Sequence, residues 1–248
     1  MSILKKGGVL LFWILLWQLA AVLIHNDILL ASPVQTGRAL IALLPQDSFV
    51  RSVASSLLRI FLGLAAGAVL GTTLGALSFR SPLIRTFLTP LIQVMKAIPV
   101  ASFVILILIW IGSRNVSLVI AMLVVLPVLY LNTLHGLSAT DTDLLEMAQV
   151  FCLSAAERVR AIYLPQLLPF LDSAMELALG MSFKSGVAAE VIGQPLYSIG
   201  NAMYRSKINL DTADLFAWTV TVIVLAFVFE KLLLLLIRAA LKRYTGAV

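Results

Sequence analysis

Long apolar runs separated by short polar stretches make up most of this chain of 248 residues. A helix needs about 20 mostly apolar residues to cross the hydrocarbon core of a bilayer. The pattern therefore predicts an all-α membrane protein with about six spanning helices. The predicted spans are residues 7–24, 52–77, 86–111, 116–137, 168–192 and 215–237.

Two of these runs have alternative interpretations. Pro99 should bend the third span, because proline cannot continue a helix ladder, and Leu83 to Ile98 can instead lie along the membrane interface, which leaves five spans. The first run follows Lys5 and Lys6 and thus resembles a signal peptide. No A-x-A cleavage site follows it, so we expect an uncleaved anchor.

Composition excludes a soluble globular domain, because 61% of the residues are hydrophobic and only 12% are charged. The single cysteine, Cys152, excludes an internal disulfide framework and a zinc cluster, so no metal site is expected. No G-x-x-x-x-G-K-[ST] loop and no H-E-x-x-H motif occurs, so the sequence predicts neither a nucleotide site of that type nor an enzyme.

The net charge of +6 favours a membrane orientation signal over nucleic-acid binding, because the basic residues stand at the ends of apolar runs. Both termini are predicted to be cytoplasmic, since this places more basic residues inside than outside. The inner set is Lys5, Lys6, Arg80, Arg85, Arg158, Arg160, Arg238, Lys242 and Arg243, and the outer set is Arg38, Arg51, Arg114, Arg205 and Lys207.

A charged segment at residues 138–167 interrupts the apolar pattern on the predicted cytoplasmic side. Its first helix has apolar residues at i, i+3, i+4 and i+7, which form one face. A second helix opens with a capping box, Ser154-x-x-Glu157, and should end at Pro165. Two short exposed helices indicate a segment that a partner holds. The apolar face consists of Leu144, Met147, Ala148 and Phe151.

The second span has a glycine at every fourth position, at Gly63, Gly67, Gly71 and Gly75. On a helix these glycines form one smooth stripe, which lets another backbone approach closely in a membrane. The stripe favours tight packing within one subunit. A sliding surface for helices that change angle during transport is the functional alternative.

A few charged residues lie inside the predicted spans, where an unpaired charge costs about 2.5–3.5 kcal/mol at the bilayer centre. Such groups should therefore face protein or water. The candidate translocation path comprises Lys96, Ser182, Lys184 and Glu190. A Lys–Glu pair that holds two helices together is an equally good interpretation of Lys184 and Glu190.

The spacing of the charged segment resembles the signature loop of binding-protein-dependent ABC transporter permeases. That motif is Glu-Ala-Ala, three residues, Gly, nine residues, Ile, one residue and Leu-Pro, with a common second proline. The stretches SLLRIFLGLAAGAVLG, PLIQVMKAIPVASF, AAEVIG and DTADLFAW are similar to the nitrate/sulfonate/taurine subgroup and to permeases for thiamine-precursor pyrimidines. The matching loop positions are Glu146, Ala148, Ile162, Leu164, Pro165 and Pro169.

The loop departs from the motif at two positions. Met147 replaces the second residue of Glu-Ala-Ala, a mild change for an apolar docking face. Cys152 stands where the family has glycine, which usually supplies a left-handed corner. Either this corner closes without a positive φ, or it is strained by about 1–2 kcal/mol.

The resemblance implies a type I ABC importer permease fold in a bacterial cell membrane. It implies that Leu144, Glu146, Met147, Ala148, Phe151, Cys152, Ile162, Leu164 and Pro165 couple the chain to a cytoplasmic ATPase. Two ATPase copies would hold ATP and Mg, while this chain binds no cofactor. The other implied partners are a second permease copy, an external binding protein and the lipid bilayer.

The solute would be a small molecule of the sulfonate, nitrate, taurine or thiamine-precursor class. A stand-alone channel or secondary transporter is the alternative, but it should show inverted repeats, and none is convincing here. An intramembrane enzyme would need paired catalytic residues, which the sequence does not offer.

Overall fold

The structure, a computed structural model, describes the backbone of residues 3–245 and the side chains of residues 5 and 7–239. The side chains of Lys6, Lys242 and Arg243, used above to orient the chain, lie outside the described residues. The all-α prediction is confirmed within the described range. The helices are α1 (Ile3–Ile24), α2 (Pro33–Leu43), α3 (Asp47–Arg80), α4 (Pro82–Ala97), α5 (Val100–Trp110), α6 (Val116–Ser138), α7 (Thr142–Val150), α8 (Ala155–Arg158), α9 (Leu164–Gly193), α10 (Ile199–Ile208) and α11 (Thr212–Thr245).

Helices α3 and α6 form the centre of the bundle through the glycine stripe of α3. A Cβ atom added to any of its four glycines would lie less than 3.0 Å from a carbonyl oxygen of α6. The two backbones are therefore in direct van der Waals contact, the main source of helix association in lipid. The successive glycine partners are Leu118 for Gly63, Met122 for Gly67, Leu126 for Gly71 and Tyr130 for Gly75.

The order of these contacts fixes the relative direction of the two helices. Both residue numbers rise together along the interface, so α3 and α6 run parallel. Because the two helices are parallel, the end of α3 and the start of α6 lie at opposite ends of the bundle. The chain between them must therefore cross the bundle once. The intervening α4 and α5 supply that crossing.

The segment that crosses back, α4 and α5, is bent near its middle. Helices α4 and α5 are bent by 105° relative to each other. Ile98, before Pro99, has φ −73° and ψ 129°, the extended conformation that the ring of a following proline favours. The third run thus forms two helices joined at a corner, and not one straight span.

Helix α9 runs antiparallel to α3 and α6. An added Cβ at Gly186 would meet Ile60 of α3, and one at Gly136 of α6 would meet Leu167. The core lies between these three helices and α11, with Phe183 of α9 against Phe229 of α11 at a ring distance of 5.7 Å.

Salt bridges also join α11 to α9. The guanidinium of Arg238 donates to Asp172 Oδ2 at 3.0 Å and to Glu176 Oε2 at 3.3 Å. Residues 139–163, the start of α9 and the last turns of α11 therefore share one end of the bundle, which we call the loop end.

Helix α1 lies on the outside of the bundle near the end of α11 opposite the loop end. The Trp17 ring stacks on Phe216 at 5.5 Å, and its Nε1 donates to the carbonyl of Ala31 at 3.0 Å. The 18-residue apolar stretch Gly7–Ile24 has no buried residue. Such a helix, apolar all round and unburied, is suited to lipid.

By length and composition, four of the described helices can cross a membrane, and the bent pair α4–α5 makes five. Helix α9 has 30 residues, enough to span, but Asp172, Glu176, Lys184 and Glu190 interrupt its apolar pattern. Asp172 and Glu176 pair with Arg238 of α11, Glu190 is buried, and Lys184 is exposed. Six spans remain the prediction.

The α3–α6 contact makes a specific stability prediction. Gly71→Ala adds a Cβ 2.6 Å from the Leu126 carbonyl oxygen, so we expect overpacking to lower the free energy of unfolding by about 1–3 kcal/mol. Thermal unfolding of the purified protein in detergent measures the change.

Gly37→Ala in α2 is the matched control, since no heavy atom lies within 4 Å of its added Cβ. Alanine is the better helix former, so the control should be neutral or stabilising by up to about 1 kcal/mol. Equal stability of Gly71→Ala and the wild type would contradict the contact.

Candidate functional site

The segment between α6 and α9 is held against the loop end by polar and aromatic contacts. The backbone N–H of Asp141 donates to Gln166 Oε1 at 3.0 Å. The Tyr163 ring meets the Phe79 ring of α3 edge-on at 5.7 Å. These contacts fix the position of α7 and α8 relative to the spans.

Helix α7 ends in a left-handed corner at Cys152, which has φ +53°. The Leu153 N–H donates to the Ala148 carbonyl at 2.9 Å and the Cys152 N–H to Gln149 at 3.0 Å. This pair of bonds is a Schellman motif. Of the two alternatives that the sequence left open, the structure therefore shows the positive-φ corner without glycine.

Helix α8 begins at the predicted capping box. The Ser154 N–H donates to Glu157 Oε2 at 2.8 Å, and the Glu157 N–H donates to Ser154 Oγ at 3.3 Å. Hydrogen bonds with the side chain and backbone of Ser154 lower the pKa of the Glu157 carboxyl. The negative charge also suits the N-terminus of a helix.

The prediction that this helix ends at Pro165 is wrong. The chain passes from α8 through a π-helical turn, Val159–Tyr163, directly into α9. The Leu164 N–H donates to the Val159 carbonyl, five residues back. The wider π turn directly precedes Pro165, so the helix accommodates a residue without an N–H and does not end there.

The apolar face predicted for α7 is divided in the structure. Ala148 is fully buried and Leu144 is half-buried, so these two side chains are turned toward the body of the protein. Met147, Val150 and Phe151 are exposed to 46%, 79% and 70%. We call these three residues the loop tip.

The predicted outward face is therefore wrong at Ala148, and the structure adds Val150 to the exposed apolar residues. Adjacent helix positions differ by about 100°, so a face of four apolar residues can be split between the inside and the outside. Glu146 is exposed beside the loop tip. Ile162 is buried, whereas Leu164 is half-buried and Pro165 exposed.

Glu190 of α9 lies in a buried polar cluster at the end opposite the loop. Its carboxylate accepts hydrogen bonds from Ser56 Oγ at 2.6 Å, Ser117 Oγ at 2.9 Å and the Gly200 N–H at 3.4 Å. Arg59 Nη1 lies 4.0 Å from Glu190 Oε1. One fully buried carboxylate thus connects α3, α6, α9 and α10.

The same cluster holds the chain that follows α9. The Ile199 N–H donates to Ser56 Oγ at 2.9 Å, and Arg59 Nη2 donates to the Leu196 carbonyl at 3.3 Å. Ser56 was not recognised from the sequence. Its position could have indicated burial, because Ser56 lies seven residues before Gly63 on the small-residue face of α3.

The structure does not bring the predicted path residues together. Ser182 is buried and donates to the Leu179 carbonyl at 2.9 Å within its own helix. Lys184 is exposed on the other side of α9, so it forms no pair with Glu190. Lys96, in contrast, lines a cleft of about 380 Å³ together with Asn132 and Ser185.

Among the described side chains, no group of three His, Cys, Asp or Glu residues is placed to hold a metal ion. The site consists instead of an exposed loop tip at one end, a buried carboxylate at the other and a cleft between them.

The family of binding-protein-dependent transport system inner membrane components matches residues 60–245. The chain belongs to this family. It is a permease subunit of an ABC importer and a multi-pass membrane protein.

Individual relatives and a solved structure support this identification. The permease is 29% identical over 189 residues to SsuC of Bacillus subtilis (strain 168), described as an aliphatic sulfonates transport permease protein, covering 75% of this chain and 68% of the relative. It is 26% identical over 221 residues to the taurine transport system permease protein TauC of Escherichia coli (strain K12), covering 86% and 80%.

The fold matches a structure of the MetNI methionine ABC transporter in an inward-facing conformation, with a TM-score of 0.65. The match covers 77% of this chain and 95% of the other, at 18% sequence identity. The permease thus has the type I importer permease fold, as the resemblance of its loop implied.

The left-handed corner makes a prediction about the permease loop. Cys152→Gly should raise the free energy of unfolding by about 1 kcal/mol, because glycine adopts positive φ without a Cβ penalty. Cys152→Ala keeps that penalty and is the control. Thermal unfolding in detergent distinguishes them, and equal midpoints for the two variants would show that the corner is unstrained.

The Glu190 cluster makes a second prediction. Glu190→Ala leaves Arg59, two hydroxyls and the Gly200 N–H without their acceptor, so we expect a loss of about 3–5 kcal/mol in stability. Glu190→Gln retains one carbonyl acceptor and should lose less.

Limited proteolysis between Gln194 and Ser198 checks the same cluster. It should increase in the order wild type, Glu190→Gln, Glu190→Ala, because the cluster holds that segment. An alanine variant as stable and as protected as the wild type would contradict a structural role for Glu190.

Proposed function

We propose that the loop tip docks in a groove of a separate cytoplasmic ATPase and that ATP-driven movement of two ATPase subunits reorients the spans of the permease. The observation that carries this proposal is the exposure of Met147, Val150 and Phe151 on a short, charged helix. Exposed large apolar side chains grouped at one site mark interaction surfaces, and aromatic residues often anchor them.

Local hydrogen bonds hold the loop in a defined shape. Asp141 Oδ1 accepts the Asp143 N–H at 2.9 Å at the start of α7, the Schellman corner closes its end, and the capping box opens α8. A surface whose shape is fixed before binding loses little conformational entropy on docking. Glu146, beside the tip, would orient the loop through a basic residue of the ATPase.

Helical continuity provides the mechanical connection. The helix that starts at Ala155 continues without a break through the π turn to Gly193. A displacement of α8 by an ATPase is therefore passed directly to α9, which packs on α3, α6 and α11. Ile162, buried inside the π turn, and Leu164 tie the turn to the loop end.

The proposed assembly contains two copies of the permease, two ATPase subunits carrying ATP and Mg, and one external binding protein. The loop end faces the cytoplasm, as the distribution of basic residues predicts, and both termini lie on that side. The names of SsuC and TauC favour a sulfonate-class solute for this permease as well.

Phe151→Asp and Val150→Asp test the docking surface, because each places a charge in the proposed apolar contact. We expect affinity for the partner ATPase, co-expressed with the permease, to fall at least about tenfold. Co-purification measures this affinity, and ATP-dependent solute uptake in proteoliposomes should fall with it.

Leu210→Asp is the matched control, since Leu210 is 64% exposed at the end opposite the loop. It should leave co-purification of the ATPase unchanged. Full ATPase binding and full uptake by Phe151→Asp, with the protein correctly inserted, would refute docking through the loop tip.

A further inference from the structure

Two clefts on one side of the bundle share Lys96 of α4. The larger, of about 380 Å³, lies between α4, α6 and α9 and includes Asn132 and Ser185. The smaller, of about 190 Å³, lies between α4 and α6 and includes Arg85 and His135. Because both include Lys96 and Leu131, the two clefts adjoin along α4, and we call them together the depression.

The larger cleft lies at mid-depth in the bundle. On α6 it is lined from Leu123 to Asn132, and on α9 from Leu177 to Ser185, close to the middle of each helix. The smaller cleft continues along α6 to His135, near the loop end. Together they run from mid-bundle toward the loop end.

Four of the five polar residues of α4 lie toward this depression, and only Thr86 does not. Arg85, Thr89, Gln93 and Lys96 line the smaller cleft, and their spacing of four, four and three residues places them on one face of the helix. At 1.5 Å per residue, the stripe from Arg85 to Lys96 is about 16 Å long. The opposite face of α4 carries exposed apolar residues, including Phe87, Leu91 and Val94.

The charges of the depression have one sign. Arg85 and Lys96 line it, and none of the residues that line either cleft is acidic. A lysine ammonium at mid-depth costs about 2.5–3.5 kcal/mol in lipid, so its position is explained if the cleft holds water or solute. Cations in a cleft with low-dielectric walls attract anions strongly.

We propose that this depression is the route of an anionic solute through the permease, with Lys96 as its mid-membrane contact and Arg85 near its inner mouth. Asn132 and Ser185 supply neutral hydrogen-bonding groups opposite Lys96. The inference rests on the proposed function, because it assumes that the chain moves a solute toward the loop end. Of the residues predicted from sequence for this path, Lys96 alone belongs to it.

Cysteine accessibility tests the route without knowledge of the natural solute. Cys152→Gly removes the single cysteine of the chain, and Ser185→Cys then introduces one thiol into the larger cleft. The protein is reacted in proteoliposomes with two methanethiosulfonates, one bearing a sulfonate and one a trimethylammonium group. The reaction rate of each reagent with the protein thiol is divided by its rate with a free thiol in solution, which removes the difference in intrinsic reactivity between the reagents.

We expect the Ser185→Cys thiol to react about tenfold faster with the sulfonate reagent than with the ammonium reagent. The Lys96 ammonium should attract the sulfonate reagent and repel the ammonium reagent. Adding Lys96→Gln should bring the two rates close to parity. Lys207→Gln is the matched control, because Lys207 is an exposed lysine of α10 that lines neither cleft, and it should leave the preference intact. A thiol at Leu91, on the apolar face of α4, should be unreactive.

An unreactive thiol at position 185, or a sulfonate preference that Lys96→Gln does not change, would overturn the proposal. These results are independent of ATPase docking. Loss of docking in the wild type with an intact Lys96-dependent preference would refute the proposed function alone. Normal docking with no such preference would refute the route alone.

Discussion

Direct contact between the backbones of α3 and α6 is the constraint on which the rest of the bundle depends. In lipid, apolar side chains gain little by leaving their surroundings, so helices associate by close packing. Four glycines remove the side chains that would keep the two backbones apart. Once these helices are parallel and in register, α4 and α5 must return between their ends, and α9 packs across both in the opposite direction.

The polar groups of the interior follow from that arrangement. Glu190 lies where α3, α6, α9 and α10 converge, and hydroxyl and backbone donors surround its carboxylate. A buried charge is tolerated only with such partners. Glu190 joins the chain after α9 to the spans, whereas a residue of a translocation path would face an open cleft. Lys96, on the surface of a cleft, occupies the contrasting environment.

The two irregular turns between α6 and α9 have different physical roles. The left-handed residue at Cys152 reverses the chain so that Phe151 and Val150 project outward. The π turn before Pro165 absorbs a residue that would otherwise end the helix. Without the first turn the loop tip would not project, and without the second a push on α8 would not reach α9. In the proposed function, both turns would transmit movement from the partner ATPase to the spans.

The sequence by itself determined the helical membrane class, the capping box at Ser154 and the family, because these depend on local composition and fixed spacing. The glycine stripe was also visible, but its partner α6 was not, since a stripe does not say which helix covers it. Only the tertiary structure decided that Ala148 is buried while Val150 projects, and that Glu190 is buried while Lys184 is exposed. Side chains one or two positions apart on a helix differ in direction by about 100–200°, and their burial depends on neighbours distant in sequence.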